Sequence, residues 1–137
     1  MNVLIDTNII LDYLLEREPF FTDSEALFDA ISENRVIAYV IVTTLTDIFY
    51  IARKQTKSFN RAKQAIELIL EVMEVCPVDR TAIEIALESG LKDFEDAVQI
   101  ASAVTQGLDA IVTRNNKDFV NKVIPILTVD ELLKQIK

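Results

Sequence analysis

Residues 1–15, with the sequence MNVLIDTNIILDYLL, decide the class of fold. The short and largely apolar run Asn2–Ile5 predicts a buried β-strand, and Asn8–Leu15 carries apolar residues at helical spacing. Asp6 stands between them, at the end of the strand, where α/β sheets usually hold their chemistry. Asp6 is therefore either the N-cap of the helix, a position that favours Asp, or the first member of a site.

The rest of the chain alternates in the same way between short apolar or β-branched runs and helical patterns. Thr43 or Thr44 is expected to cap the helix that follows the second strand. Such alternation favours a parallel sheet with helices on both faces, so we predict an α/β/α sandwich with a central parallel sheet of four or five strands. The length of 137 residues predicts a single domain, 1–137. The further strands are predicted at Val36–Val42, Val75–Val78, Ala110–Thr113 and Ile124–Leu127.

The sequence contains no histidine, which narrows its chemistry. Ser-His-Asp and Cys-His catalysis and His-rich zinc sites are excluded. Acid–base or metal chemistry then depends on carboxylates, which suit Mg²⁺ or Mn²⁺. The single cysteine, Cys76, lies in an apolar stretch and is interpreted as a core residue. A cytoplasmic protein is expected, because the sequence has no charged signal-peptide start and no apolar run long enough to cross a membrane.

Four aspartates follow predicted strands or border apolar helix faces: Asp6, Asp47, Asp96 and Asp118. Because the carboxyl ends of parallel strands share one edge of the sheet, we expect these side chains to meet there. Two like charges at about 4 Å repel by about 4 kcal/mol at an effective dielectric constant of about 20. A bound Mg²⁺ removes that repulsion and accepts oxygen ligands, so the pattern favours a divalent-cation site.

Ordinary structural roles compete with this hypothesis at several positions. Asp6 would simply cap the first helix, and Asp93 with Asp96 has the spacing of a capping pair at the start of a later helix. Asp118 would cap a short turn. Asp47 is harder to explain, because an unpaired carboxylate between apolar residues in a helix interior is costly.

Four segments together resemble the PIN domain family, within its bacterial branch related to VapC-type toxins. They are LIDTNIILDYL (4–14), TTLTDIFYIAR (43–53), DFEDAVQIASAV (93–104) and AIVTRNNKDF (110–119). The DTN triplet alone is weakly specific, but the ordered set is fairly specific and the resemblance spans residues 2 to about 120. It implies a PIN-like α/β/α sandwich and a Mg²⁺- or Mn²⁺-dependent endoribonuclease. Such an enzyme cuts single-stranded RNA with metal-activated water and leaves 5′-phosphate and 3′-hydroxyl ends.

The resemblance also implies roles for individual residues. The metal-binding and catalytic positions correspond to Asp6, Asp47, Asp96 and Asp118, and the supporting polar positions to Thr7, Asn8, Asp93, Thr113 and Asn115. Two departures from the family pattern stand out. Asp47 occupies a position that is usually Glu, and Asn115 one that is often Asp. These departures keep open the alternative of a degraded PIN-like module that acts as an RNA- or protein-binding scaffold.

Basic residues and partners form the last set of expectations. Arg53, Lys57, Arg61 and Arg114 are candidate RNA contacts, although a solvated helix end is the competing explanation for the basic cluster between residues 53 and 63. The net charge of −8 argues weakly against tight non-specific binding of nucleic acid. The resemblance implies single-stranded RNA as substrate, a toxin role with an antitoxin partner, and a homodimer.

Overall fold

The computed structural model describes residues 1–114 and 123–136, and these residues form five strands and seven helices. The predicted elements are present there, with ends displaced by a few residues, as is usual where helices and strands fray. The strands are β1 (Asn2–Ile5), β2 (Ile37–Ile41), β3 (Glu74–Cys76), β4 (Ala110–Val112) and β5 (Ile126–Leu127). The helices are α1 (Thr7–Leu14), α2 (Phe21–Ser32), α3 (Val42–Thr56), α4 (Phe59–Val72), α5 (Arg80–Glu88), α6 (Phe94–Thr105) and α7 (Val129–Gln135).

The five strands form one parallel sheet in the order β3-β2-β1-β4-β5, which confirms the predicted parallel sheet. β1 lies at its centre, with Val3 opposite Ala38 of β2 on one side and opposite Ala110 of β4 on the other. The chain adds strands outward on one side of β1 and then returns to the other side. The strand order therefore reverses between β1 and β4, and such a reversal opens a crevice at the carboxyl ends of the two strands.

Alternate side chains of β1 enter two separate cores, which confirms the three-layer sandwich. Val3 and Ile5 pack in one core with residues of α1, α2, α3, α4 and α7. Leu4 packs on the opposite face with residues of α5 and α6. All three side chains are fully buried, and each such burial contributes about 1.5–3 kcal/mol. Burial on both faces explains why the strand is a continuous apolar run rather than an alternating one.

Of two local predictions, the burial of Cys76 is confirmed and the start of α3 is wrong. Cys76 is fully buried in the second core, as expected. The predicted cap of α3 at Thr43 or Thr44 is wrong, because the helix begins at Val42, directly after β2. Its N-cap is Ile41, and no side chain caps it. The hydroxyl of Thr44 is buried and bonds Thr7 instead. In the described part of the chain, no helix has the length and apolar character needed to span a membrane.

Candidate active site

Asp6 lies at the crevice between β1 and β4, where its backbone N–H donates to Val112 O at 2.9 Å. Its Oδ1 accepts from the backbone N–H of Thr7 at 2.8 Å and from Gln99 Nε2 at 2.9 Å. Its Oδ2 accepts from Thr113 Oγ1 at 2.9 Å. Asp6 is thus the N-cap of α1 and is also held by α6 and by the residue that follows β4. Both sequence hypotheses for its position are compatible with this geometry.

A hydroxyl contact brings α3 to the same edge of the sheet. Thr7 Oγ1 lies 3.0 Å from Thr44 Oγ1, and this pair joins the first turns of α1 and α3. Asp47 follows Thr44 by three residues, so the two share a face of α3. The half-buried carboxylate of Asp47 therefore comes toward the crevice rather than into bulk solvent.

Glu95, in the first turn of α6, completes a cluster of acidic side chains around the crevice. A hydrogen bond with Asp47 is the main cause that raises the pKa of Glu95 to about 7, and burial adds to the effect. The charges of Asp47, Asp93 and Asp6 raise the pKa further. In this contact the protonated form of the Glu95 carboxyl is the one that can donate to Asp47. The proton relieves a like-charge repulsion that a cation at the same place would also relieve.

Asp93 and Asp96 occupy the start of α6. Asp93 is its N-cap, and its Oδ1 accepts from the backbone N–H of Asp96 at 3.1 Å, so the capping role anticipated for Asp93 is confirmed. Its charge nevertheless acts on Glu95. The half-buried Asp96 precedes Gln99 by three residues, and a helix places such a pair on one face. The face of α6 that carries Asp96 therefore also carries the side chain that bonds Asp6.

The remaining predicted site residues are distributed less tightly. Asn8 is exposed in the first turn of α1, and Thr113 is buried against Asp6. Asn115 and Asp118 lie outside the described residues, so their assignment stays a prediction. Arg53, Lys57 and Arg61 are all exposed, at the end of α3, in the connection, and in the first turn of α4.

Arg114 forms an ion cluster with the buried Asp12, and the sequence did not predict this contact. Its Nε lies 3.0 Å from Asp12 Oδ2, its Nη2 donates to Asp12 Oδ1 at 3.1 Å, and its guanidinium stands 3.9 Å from the ring centre of Phe20. Arg17 Nε lies 3.3 Å from the same carboxylate. Burial raises the pKa of Asp12, and the charges of Arg114 and Arg17 oppose that rise. The cluster ties the exit of β4 to α1 and to the connection before α2.

Sequence reasoning gave no role to Glu95, Gln99 or Asp12. Gln99 and Asp12 are polar residues inside apolar helical runs, and this pattern is the signal that indicates them in the sequence. In the structure both side chains are at most 3% exposed. Glu95 had a different signal, as one of three carboxylates within four residues at the start of a helix. Only the orientation of α6 in the structure shows that Glu95 meets Asp47.

The donor set of this cluster fits a hard divalent cation. All of its candidate ligands are oxygens, as Mg²⁺ and Mn²⁺ prefer. Gln99 Oε1 is buried and has no hydrogen-bond partner among residues 1–114 and 123–136. Within these same ranges, no three acidic or thiol side chains already stand close enough to enclose an ion.

Comparison with known proteins gives the family and the fold. A model for the PIN domain family, described as PIN domain, matches residues 2–117. The chain is similar in structure to a chain of DNA-bound VapBC from Salmonella typhimurium, with 22% identity, a TM-score of 0.68, and coverage of 94% of this chain and 98% of that chain. A chain of a toxin-antitoxin complex from Klebsiella pneumoniae is 20% identical, with a TM-score of 0.68 and coverage of 93% and 97%.

VapC20 of Mycobacterium tuberculosis, described as a sarcin-ricin loop cleaving toxin, is 15% identical, with a TM-score of 0.65 and coverage of 80% and 86%. At these identities the structural likeness shows the fold alone. A comparison with curated protein sequences finds no match.

Proposed function

Since the chain belongs to the PIN domain family, we propose that it is a metal-dependent endoribonuclease that cleaves single-stranded RNA. The observation that carries the proposal is the position of Asp6. Donors from α1, α6 and the end of β4 hold both of its oxygens, and its charge acts together with those of Asp47 and Asp93 on Glu95. Held carboxylates at such a place bind and orient a cation, whereas a simple helix cap needs only one of those bonds.

The residues proposed to hold the metal are Asp6, Asp47, Asp96 and Asp118, and Glu95 is added from the structure. The metal proposed is Mg²⁺ or Mn²⁺, which supplies positive charge that activates water and offsets charge on the phosphate. Thr113 and Gln99 fix the direction of the Asp6 carboxylate through their hydrogen bonds. Because the chain contains no histidine, the proton of the attacking water passes to a carboxylate or to solvent.

We further propose that this nuclease is the toxin of a toxin–antitoxin pair. Several chains that share its fold come from complexes described as VapBC or toxin-antitoxin. An antitoxin protein and a second copy of this chain are the partners proposed on that basis. A second candidate function is a scaffold with a degraded site. It is favoured by the contact of Glu95 with Asp47, which raises the pKa of Glu95 to about 7, so that a proton can offset the repulsion that the nuclease would offset with a cation.

The test is cleavage of an end-labelled single-stranded RNA with Mg²⁺, with Mn²⁺ and with EDTA. We expect the wild-type chain to cut only with metal and to leave 5′-phosphate ends. Asp6→Asn should slow cleavage by on the order of 100-fold or more, because a metal ligand contributes several kcal/mol. Asp29→Asn, on the exposed side of α2, is the matched control and should cut normally. Equal rates for the Asp6 variant and the wild type would refute the site.

The same protein also separates the nuclease from the scaffold. A native cation site raises the melting temperature when millimolar Mg²⁺ or Mn²⁺ is added, because the ion binds only the folded state. A chain with neither a thermal shift nor cleavage would support the scaffold instead.

A further inference from the structure

Three aromatic side chains form a contiguous cluster on α3 and the first turn of α4, and two of them, Tyr50 and Phe59, are exposed. Phe49 meets Tyr50 edge to face, with ring centres 5.9 Å apart, and meets Phe59 in the same way at 5.6 Å. Tyr50 is 68% exposed and Phe59 is 55% exposed. Single exposed apolar residues are ordinary, but adjoining aromatic rings on a surface usually mark a binding site. We call Phe49, Tyr50 and Phe59 the aromatic platform.

The segment of the chain that carries the aromatic platform is rich in Lys and Arg. No acidic residue occurs between Asp47 and Glu67, while five of the fourteen Lys and Arg residues fall in that interval. They are Arg53, Lys54, Lys57, Arg61 and Lys63. Among the residues that the structure describes, none of these five forms a salt bridge, whereas Arg17, Arg35, Arg80, Arg114 and Lys134 do. In a chain of net charge −8, the end of α3 and the start of α4 therefore form a local cationic surface.

Arg53 is a basic residue that contacts the aromatic platform directly. Its guanidinium lies 5.8 Å from the ring centre of Phe59, within the range of a cation–π contact. Phe59 is more than half exposed, so part of its ring stays open to a ligand beside the guanidinium. The combination of open aromatic faces and unpaired Arg and Lys residues is the composition of surfaces that bind single-stranded nucleic acid.

The aromatic platform is continuous with the acidic crevice. Tyr50 follows Asp47 by three residues on α3, so their side chains are neighbours on the helix surface, about 4.5 Å apart along the axis. Arg53 follows by one further turn. A strand whose phosphate reaches the carboxylates would therefore cross Tyr50 and then the cationic surface.

We propose that the aromatic platform stacks unpaired bases of single-stranded RNA next to the scissile phosphate, while the adjacent Lys and Arg side chains hold the phosphates. The proposal rests on the proposed nuclease function and adds the binding subsite to it. Charge complementarity selects this occupant over an apolar protein helix, because an apolar partner would leave five cations uncompensated. Stacking uses the ring faces of any base, so the platform favours unpaired RNA without strong sequence preference.

The experiment measures affinity for a short fluorescein-labelled oligoadenylate by anisotropy, in the Asp6→Asn background so that the RNA stays intact. Tyr50→Ala and Phe59→Ala should each weaken binding by about fivefold or more, since a base–aromatic stack is worth at least about 1 kcal/mol. Tyr50→Phe keeps the ring and should bind like the parent. Leu87→Ala, at an equally exposed residue of α5, is the matched control and should also bind like the parent.

Two further readouts separate stacking from charge. A 2-aminopurine placed in the oligonucleotide should change its emission on binding to the parent and to Tyr50→Phe, but not on binding to Tyr50→Ala. Arg53→Gln should reduce the slope of log affinity against log salt by about 0.7, the value for one phosphate contact with a single strand. Tyr50→Ala should leave that slope unchanged.

The inference and the nuclease can fail separately. Parent-like affinity in both alanine variants overturns the aromatic platform, even if the wild-type chain cleaves RNA, and so does a parent that does not bind the oligoadenylate. Alanine variants that change the sedimentation of the chain without changing RNA affinity would show a protein interface instead. An aromatic platform that behaves as expected in a chain that cuts nothing with Mg²⁺ would refute the nuclease alone.

Discussion

Replacing Glu95 with Gln tests whether the acidic side chains really meet at the crevice. In the metal-free protein, the hydrogen bond with Asp47, burial, and the charges of Asp47, Asp93 and Asp6 raise the pKa of Glu95 from the ordinary 4.5 to about 7. The folded state therefore favours the protonated carboxyl. The stability that this protonation contributes is fully present below pH 4.5 and is lost as the pH rises through about 7.

The size of the effect follows from the same shift. At full strength it would correspond to about 3 kcal/mol, but Glu95 is exposed, and screening by solvent reduces it to about 1 kcal/mol. Glu95→Gln carries no charge at any pH. We therefore expect the variant and the wild type to be equally stable near pH 4.5, and the variant to be more stable by about 1 kcal/mol at pH 8. In a chain of this size that difference raises the melting temperature by about 3–5 °C.

The assay is thermal unfolding followed by circular dichroism, in EDTA, from pH 4.5 to pH 8.5. The difference between the two proteins reports Glu95 and its interaction with Asp47, because every other acid is present in both. Glu74→Gln, at an exposed position where β3 begins, is the matched control for the loss of one surface carboxylate. A pH-independent difference for Glu95→Gln, or a less stable variant at pH 8, would refute the crowding of acids at the crevice.

Two further predictions concern the groups that position this site. Asp12→Ala leaves Arg17 and Arg114 without their buried partner. The variant should lower the free energy of unfolding, measured by urea titration, by about 3 kcal/mol. A loss below about 1 kcal/mol would contradict a buried ion pair. Gln99→Met keeps the side-chain volume but removes the donor to Asp6. It should weaken Mg²⁺ binding by about 10- to 100-fold, measured from the melting temperature at increasing Mg²⁺ concentration. The stability of the metal-free protein should be nearly unchanged. Unchanged Mg²⁺ affinity would show that Gln99 does not orient Asp6.

The sequence predicted the fold where one physical signal dominated. β1 has the predicted bounds, because Val3, Leu4 and Ile5, which are buried on alternate faces of the sheet, form an unambiguous apolar run. The start of α6 was found from Asp93, whose side chain makes the expected cap bond. The start of α3 was missed because no polar cap marks it. Val42 simply continues from β2 into the helix, and the threonine chosen as a cap bonds Thr7 instead.

The site was predictable only in part, for a geometric reason. Sequence position shows that Asp6 ends a strand, and the parallel topology then brings it to the crevice. On α6, however, Glu95 and Asp96 are adjacent and point about 100° apart, so the sequence cannot show which carboxylate meets Asp47. That choice depends on how α6 is rotated against the sheet, and its apolar face leaves both arrangements open. The hydrogen bond from Glu95 is therefore information that only the structure adds.

The two roles considered for Asp6 turn out to support each other. The cap bond from Thr7 and the bond from Gln99 fix Oδ1, and the bond from Thr113 fixes Oδ2, so the carboxylate has one orientation and still retains lone-pair capacity. Asn is as good a cap as Asp, whereas Ala loses about 1 kcal/mol of helix stability. Asp6→Asn therefore removes the charge while α1 stays capped, and a loss of cleavage in that variant can be attributed to the charge. Asp6→Ala would remove both roles at once and could not distinguish them.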